Sequence, residues 1–106
     1  MSSIRSLNIK TGSLKRLIKD KEVYLAEIVQ VKEKISKLSD SEEDSWNLKK
    51  QNEILKETMD MIPGCNDRIS KAYEDLFNLV NSNDPNLEGT KELQEAKDLL
   101  DSINID

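Results

Sequence analysis

The stretch from Leu48 to Val80, LKKQNEILKETMDMIPGCNDRISKAYEDLFNLV, decides the fold, because apolar side chains recur in it every three or four residues. Such spacing keeps one apolar stripe on one side of an α-helix and requires a partner helix to cover it. The stripe predicted for this helix consists of Leu48, Asn52, Leu55, Met59, Ile62, Asn66, Ile69, Tyr73, Leu76 and Val80.

A matching run upstream supplies the partner helix. Its predicted stripe consists of Leu14, Leu17, Lys21, Tyr24, Ile28, Val31, Ile35 and Leu38. Only the acidic segment SDSEEDS, from Ser39 to Ser45, separates the two runs. A connection of this length forces two long helices to lie side by side and antiparallel.

Local signals set the bounds of the first two helices. Helix one is predicted over about residues 3–38, with Ser2 or Ser3 as its N-cap. Gly12 is its weak position, where the helix is expected to bend or fray, since glycine costs about 1 kcal/mol relative to alanine. Helix two is predicted over about residues 46–80. Because the seven-residue spacing continues across Pro63 and Gly64, we expect a kinked but continuous helix there.

A third, shorter helix is predicted over about residues 90–103, after a turn rich in Asn, Asp, Pro and Gly. The predicted fold is therefore all-α: an antiparallel, rod-like three-helix bundle with coiled-coil-like packing, forming one domain over residues 1–106. The short third helix leaves the far end of the bundle with two helices. The apolar residues expected to lack a third cover are Val29, Ile54, Met59 and Met61.

Charge is distributed unevenly along the chain. Residues 1–21 carry a net charge of +5, and residues 74–106 carry −7. The third helix is expected to pack beside the start of helix one, so intramolecular pairing of these charges is the favoured interpretation. The alternatives are contact with an acidic protein partner and, much less favoured, with nucleic acid. The basic cluster consists of Lys10, Lys15, Arg16, Lys19 and Lys21.

The residue types argue against a catalytic protein. The chain has no histidine, one cysteine and no glycine-rich phosphate loop, so we expect no enzyme activity, metal or cofactor. Cys65 is interpreted as a packed core residue, and Trp46 as a cover for the end of the bundle, with an exposed partner anchor as its alternative. No apolar run is long enough for a signal peptide or a membrane span, so a soluble, cytoplasmic protein is expected.

Four blocks of the sequence resemble the tubulin-folding cofactor A family, and together they span nearly the whole chain. They are Ile9-Lys10-Thr11-Gly12 with Lys15-Arg16-Leu17 and Lys19; Leu48-Lys49-Lys50-Gln51 with Glu53-Ile54-Leu55; Met61-Ile62-Pro63-Gly64-Cys65 with Arg68 and Ala72-Tyr73-Glu74-Asp75-Leu76; and Leu99-Leu100-Asp101-Ser102. The chain departs from the family pattern at Asp44-Ser45-Trp46, where Asp-Pro-Tyr is common, and at Gly64, where an acidic residue is usual.

The resemblance implies a three-helix bundle that acts as a chaperone without catalysis. Members of the family capture β-tubulin after its release from the chaperonin and pass it on for assembly of the αβ heterodimer. The implied partners are β-tubulin and other tubulin-folding cofactors, with no nucleic acid and no membrane, and the implied location is cytoplasmic and cytoskeleton-associated. The alternative function is a homodimeric coiled-coil adaptor, and a homodimer is compatible with either function.

Motif match and expected exposure select the residues predicted to bind the partner. On helix one they are Lys10, Lys15, Arg16 and Lys19. On helix two they are Lys49, Lys50, Glu53, Glu57, Met61 and Ile62. Binding by such residues would use helix faces on a folded client and not a pocket.

Overall fold

The computed structural model describes residues 2–39 and 45–103, and within these ranges the chain forms three α-helices and no strand. The helices are α1 (Ser3–Ser39), α2 (Ser45–Val80) and α3 (Lys91–Ser102). The predicted antiparallel three-helix bundle is confirmed. Of the predicted turn, Ser39 belongs to α1 and Ser45 to α2, and the rest of it lies outside the described residues.

Helix α1 begins at a serine cap, as predicted. The Oγ of Ser2 accepts a hydrogen bond from the backbone N–H of Arg5 at 3.2 Å, which satisfies one of the free donors of the first turn. The helix then runs through Gly12 without interruption, so the expected fraying is absent. Leu7 and Leu14, fully buried on either side of Gly12, hold this part of the helix in the core.

Helix α2 is continuous through Pro63, as predicted. Proline in a helix interior removes one backbone hydrogen bond and crowds the preceding turn, so packing must hold the helix together on both sides. Ile62 is half-buried, and Cys65 is buried in the core as predicted. The kink at Pro63 and Gly64 stays a prediction.

The connection before α3 is anchored by a buried leucine. Leu87 is only 1% exposed although it lies in the polar turn, and its N–H donates to the carbonyl of Asp84 at 3.0 Å. Thr90 then caps α3, accepting a hydrogen bond from the N–H of Leu93 at 3.1 Å. This turn therefore contributes to the core as well as reversing the chain.

The chain divides into two compact units. Unit 1 comprises Met1–Ile18 and Asp67–Asp106, and it contains segments of all three helices. It holds one core cluster, with Ile4, Ile18, Tyr73 and Val80 among the partly buried residues packed against it. The buried members of this cluster are Leu7, Leu14, Ile69, Leu76, Leu87, Ala96 and Leu100.

Unit 2, Lys19–Asn66, is an antiparallel pair formed by the second part of α1 and the first part of α2. Its buried apolar residues, within the described part of the chain, are Val31 and Cys65. The stripe predicted for α1 is confirmed, because none of its eight positions from Leu14 to Leu38 is exposed. A two-helix layer buries less apolar surface than the three-helix core of unit 1.

The stripe predicted for α2 is confirmed at seven of its ten positions. Asn52, Met59 and Asn66 are exposed, whereas the positions that are not exposed are Leu48, Leu55, Ile62, Ile69, Tyr73, Leu76 and Val80. Further inward positions lie one residue earlier. They are Gln51, Thr58, Cys65, Ala72 and Leu79, and all but Leu79 carry small or polar side chains. Thr58 fits there because its hydroxyl donates to the carbonyl of Ile54 at 2.8 Å and so keeps a partner when half-buried.

Candidate functional site

One face of α2 in unit 2 is polar apart from a large exposed aromatic ring. Trp46, Lys50, Glu53 and Glu57 follow one another at intervals of four, three and four residues, which places them on one side of the helix. The indole of Trp46 is 70% exposed, so it does not cover the end of the bundle, and that interpretation was wrong. The Nζ of Lys50 lies 5.5 Å from the ring centroid, a cation–π contact that orients both side chains.

The other candidates on α2 surround this face. Lys49 is exposed beside Lys50, and Met61 is 42% exposed one turn beyond Glu57. Ile62 is half-buried on the inward stripe and offers a partner only part of its side chain. Trp46, Lys49, Lys50, Glu53, Glu57 and Met61 are hereafter called the α2 face.

The basic candidates on α1 are split between the two units. Lys10, Lys15 and Arg16 lie in unit 1, and Lys19 lies in unit 2. Lys10 is half-buried, whereas the other three are exposed. Lys15 and Lys19 are four residues apart on a continuous helix, where like charges repel by about 0.2–0.5 kcal/mol.

The expected pairing between basic α1 and acidic α3 is absent. Within residues 2–39 and 45–103 the single ion pair joins Lys91 and Glu95 on the surface of α3 at 3.9 Å. Charged side chains on the surface stay solvated, because the attraction in an exposed ion pair is nearly offset by the side-chain entropy that is lost when the pair forms. The charged candidates on α1 and α2 therefore have no ionic partner among residues 2–39 and 45–103.

Exposed apolar residues gather in unit 2 where a third helix is missing. Val29, Met59 and Met61 are exposed as predicted, whereas Ile54 is half-buried, so that part of the expectation was wrong. Val23 and Leu25 are also exposed and were missed. The signal for Leu25 was present in the sequence, because it lies seven residues after Ile18, which packs in the core of unit 1.

The described residues offer little for small-molecule chemistry. They contain no group of three histidine, cysteine, aspartate or glutamate side chains that could hold a metal ion. A shallow depression in unit 1, between the turn and α3, is lined by Val80, Asp84, Leu87, Leu93 and Lys97 among others. No helix in the described ranges is long and apolar enough to cross a membrane. The arrangement suits recognition by extended helix faces.

Comparison with known proteins assigns the family. The family described as Tubulin binding cofactor A matches residues 2–100. The chain belongs to the tubulin binding cofactor A family. Human tubulin-specific chaperone A is 41% identical over 103 residues, which cover 97% of this chain and 94% of the human protein.

Two solved structures of the tubulin binding cofactor A family have the same fold. The structure of human tubulin chaperone cofactor A superposes with a TM-score of 0.79 at 40% identity, covering 95% of this chain and 97% of that one. Tubulin folding cofactor A from Arabidopsis thaliana gives a TM-score of 0.81 at 32% identity, covering 93% and 92%. All the candidate residues on α1 and α2 lie within the span that matches the family.

Proposed function

We propose that the chain is a non-catalytic chaperone that captures quasi-native β-tubulin after its release from the chaperonin and hands it on for assembly of the αβ heterodimer. Membership of the tubulin binding cofactor A family supports tubulin as the client. The observation that supports the binding mode is the α2 face, where Trp46 is exposed beside charged side chains that have no ionic partner in the described part of the chain.

The α2 face suits a folded protein client. Binding energy at protein interfaces is concentrated in a few aromatic and cationic side chains, with tryptophan prominent among them. Trp46 supplies the aromatic ring, Lys49 and Lys50 supply charge beside it, and Met61 adds apolar contact further along the helix. On α1, we propose Lys10, Lys15, Arg16 and Lys19 as further basic contacts to the client.

A capture experiment tests this proposal. The chain is mixed with newly released β-tubulin, and separately with α-tubulin, and the products are separated by gel filtration. A new complex with β-tubulin alone is expected. If the chain forms a complex with neither protein, or with both equally, the proposal of β-tubulin capture is wrong. In that case sedimentation equilibrium that reveals a dimer would favour the homodimeric adaptor.

Charge reversal locates the surface. The double variant Lys49→Glu/Lys50→Glu is expected to weaken β-tubulin capture while helical content, measured by circular dichroism, is unchanged. The matched control is Lys34→Glu/Lys37→Glu on α1, which changes the net charge equally at exposed positions of the same unit. Equal capture by both double variants would exclude Lys49 and Lys50 from the surface.

The role of the tryptophan is tested separately. Trp46→Ala removes the ring and its contact with Lys50, and truncating such an anchor typically costs about 2 kcal/mol or more of binding energy. Trp46→Tyr keeps an aromatic ring and should retain most of the affinity. Loss of binding in both variants would indicate that the size of the indole, and not aromatic contact alone, is required.

The proposal also covers the setting in which the protein acts. We propose a cytoplasmic, cytoskeleton-associated protein that meets other tubulin-folding cofactors, with no role for nucleic acid or membranes. Capture by occupation of surface needs no cofactor, so complex formation should be unchanged after removal of nucleotides and addition of a metal chelator. Dependence on either would contradict a passive, stoichiometric mechanism.

A further inference from the structure

The exposed apolar flank of unit 2 repeats a pattern that is covered in unit 1. On α1, Ile4, Thr11, Ile18 and Leu25 are each seven residues apart, so they follow one line along the helix. Thr11 is buried, and Ile4 and Ile18 pack against the core cluster to which α3 contributes Ala96 and Leu100. Leu25, the next position in the series, is 44% exposed, and Val29, one turn beyond it, is 56% exposed.

The same change occurs on α2. Val80, Tyr73, Asn66, Met59 and Asn52 are also seven residues apart. Val80 and Tyr73 pack against the core cluster of unit 1, whereas Met59 is 47% exposed in unit 2. Along this series, the α2 residues in unit 1 thus pack on a core to which α3 contributes, whereas Met59 in unit 2 lacks such cover.

Within unit 2, the exposed members of the two series lie on one side of the helix pair. Leu25 and Met59 are the same number of residues before and after the middle of the connection, so they lie at one level of the antiparallel pair. Leu25 belongs to the same seven-residue series as Ile4 and Ile18, and Met59 to the same series as Tyr73 and Val80. In unit 1 both series pack against the core cluster that includes residues of α3. Leu25, Val29 and Met59 are hereafter called the open flank.

We propose that the open flank binds an amphipathic helix of the tubulin client, which packs on unit 2 as α3 packs in unit 1. This inference rests on the proposed function and names the structural element that the chain would recognise. Unit 1 shows the type of occupant that such a stripe accepts, because α3 presents Leu93, Ala96 and Leu100 at intervals of three and four residues. A helix laid in an apolar groove through residues so spaced is a common mode of peptide recognition.

The polar rim fits this occupant. Glu22 and Lys32 on α1 and Lys56 on α2 are exposed beside the open flank, and none of them has an ionic partner within the described residues. Charges of both signs around an apolar centre can pair with the polar face of an amphipathic helix. They also keep the flank hydrated while it is empty, which limits aggregation of the free chaperone.

Point variants on opposite sides of α1 test the proposal. Leu25→Arg and Val29→Arg place a charge on the open flank, and each is expected to weaken β-tubulin binding by about tenfold or more. Val23→Arg is the matched control: Val23 is 47% exposed, is two residues from Leu25, and lies on nearly the opposite side of the helix. It should bind within about twofold of the parent chain. Circular dichroism checks that each variant is folded, and glutamine replaces arginine at the same position in any variant that is not.

The outcomes separate this inference from the proposed function. If the parent chain binds β-tubulin and all three arginine variants bind equally well, or all three weaken together, the open flank is not the docking site and the proposed function stands. If the parent chain forms no complex with β-tubulin, both proposals are overturned.

A cross-linking experiment identifies the occupant directly. A photoreactive benzoylphenylalanine replaces Val29 in one variant and Val23 in another, and each is irradiated in the complex with β-tubulin. The expected product joins position 29 to a helical segment of tubulin, with a much weaker product from position 23. Cross-links from position 29 only to a second copy of this chain would overturn the proposal in favour of self-association.

Discussion

Ser3 donates a hydrogen bond through its Oγ to Oδ2 of Asp84, and this bond joins the first turn of α1 to the connection before α3. The two residues are 81 positions apart in sequence, so the contact joins the two segments of the chain that form unit 1. The other carboxylate oxygen of Asp84 accepts the backbone N–H of Asn86 at 2.9 Å, which fixes the turn that carries buried Leu87.

These hydrogen bonds make a titration prediction. The bond from Ser3, followed by the bond from the N–H of Asn86, lowers the pKa of Asp84 below its ordinary value of 3.8, because both favour the charged form. Ser3→Ala should therefore raise the Asp84 pKa toward 3.8, as measured by NMR titration of the carboxyl carbon. An unchanged pKa in this variant would mean that the bond is not formed in solution.

The same shift sets the direction of a stability change with pH. A carboxyl whose pKa is lower in the folded state stabilises that state above its unfolded pKa, and loses this contribution as the pH falls through the folded pKa. The parent chain should thus exceed Asp84→Asn in stability by the largest amount at neutral pH, and this difference should shrink below pH 3.8. Thermal unfolding of both proteins across that range measures it.

The fold was predictable because heptad spacing reports directly on helix packing. The errors in the predicted stripes have one physical origin. Every predicted position of the α1 stripe is inward. On α2 the prediction preferred exposed Met59 to half-buried Thr58, because an analysis of heptad spacing favours large apolar side chains. A helix with two neighbours carries two overlapping stripes, and size alone does not say which stripe faces which neighbour.

The candidate site was less predictable from the sequence, because its features depend on which side chains the tertiary packing leaves exposed. Composition identified residues around Leu87 as a turn and gave no sign that this leucine is buried. Opposite net charges on α1 and α3 suggested ion pairs, but side-chain geometry decides whether pairs form. Exposure of Trp46 likewise follows from the course of α2, which no local motif encodes.

Two glycine substitutions should change stability in opposite directions. An alanine Cβ at Gly12 would meet no atom within 4 Å, and α1 is helical there, so Gly12→Ala should stabilise the chain by about 0.5–1 kcal/mol. Gly89 has equal space but a φ of +77°, so Gly89→Ala should destabilise the chain by about 1–2 kcal/mol. Urea unfolding measures both. A loss of stability in Gly12→Ala would contradict a regular helix at that position.

Leu87 is expected to behave as a core residue despite its place in a polar turn. Leu87→Ala removes a side chain that is buried with α3 residues Ala96 and Leu100, and such truncations cost about 2–5 kcal/mol. Glu88→Ala at the exposed neighbour is the control and should change stability by less than about 0.5 kcal/mol. Similar small effects for the two variants would show that the turn is not packed on the core.

Pro63 is expected to cost stability in exchange for a bend in α2. Pro63→Ala restores a backbone N–H inside a continuous helix at an exposed position, so it should raise stability by up to about 3 kcal/mol and straighten the helix. Unfolding in urea and a crystal structure of the variant measure the two effects. Reduced stability in the variant would contradict our interpretation of Pro63 as a strained interior position.

Unit 2 should open more readily than unit 1 in the native protein. The seven-residue core cluster belongs wholly to unit 1, whereas only Val31 and Cys65 are buried apolar residues in the described part of unit 2. Local opening requires less free energy where fewer apolar contacts are broken, so amides of residues 23–38 and 46–60 should exchange hydrogen faster than those of residues 7–18 and 69–79.

We still propose one domain with one thermal transition, because α1 and α2 each run unbroken through both units. Equal protection of all these amides would contradict the difference in packing between the units. Two separate thermal transitions would contradict the single domain. A more labile unit 2 would also let the open flank, our proposed docking surface, adjust to an incoming helix at little energetic cost.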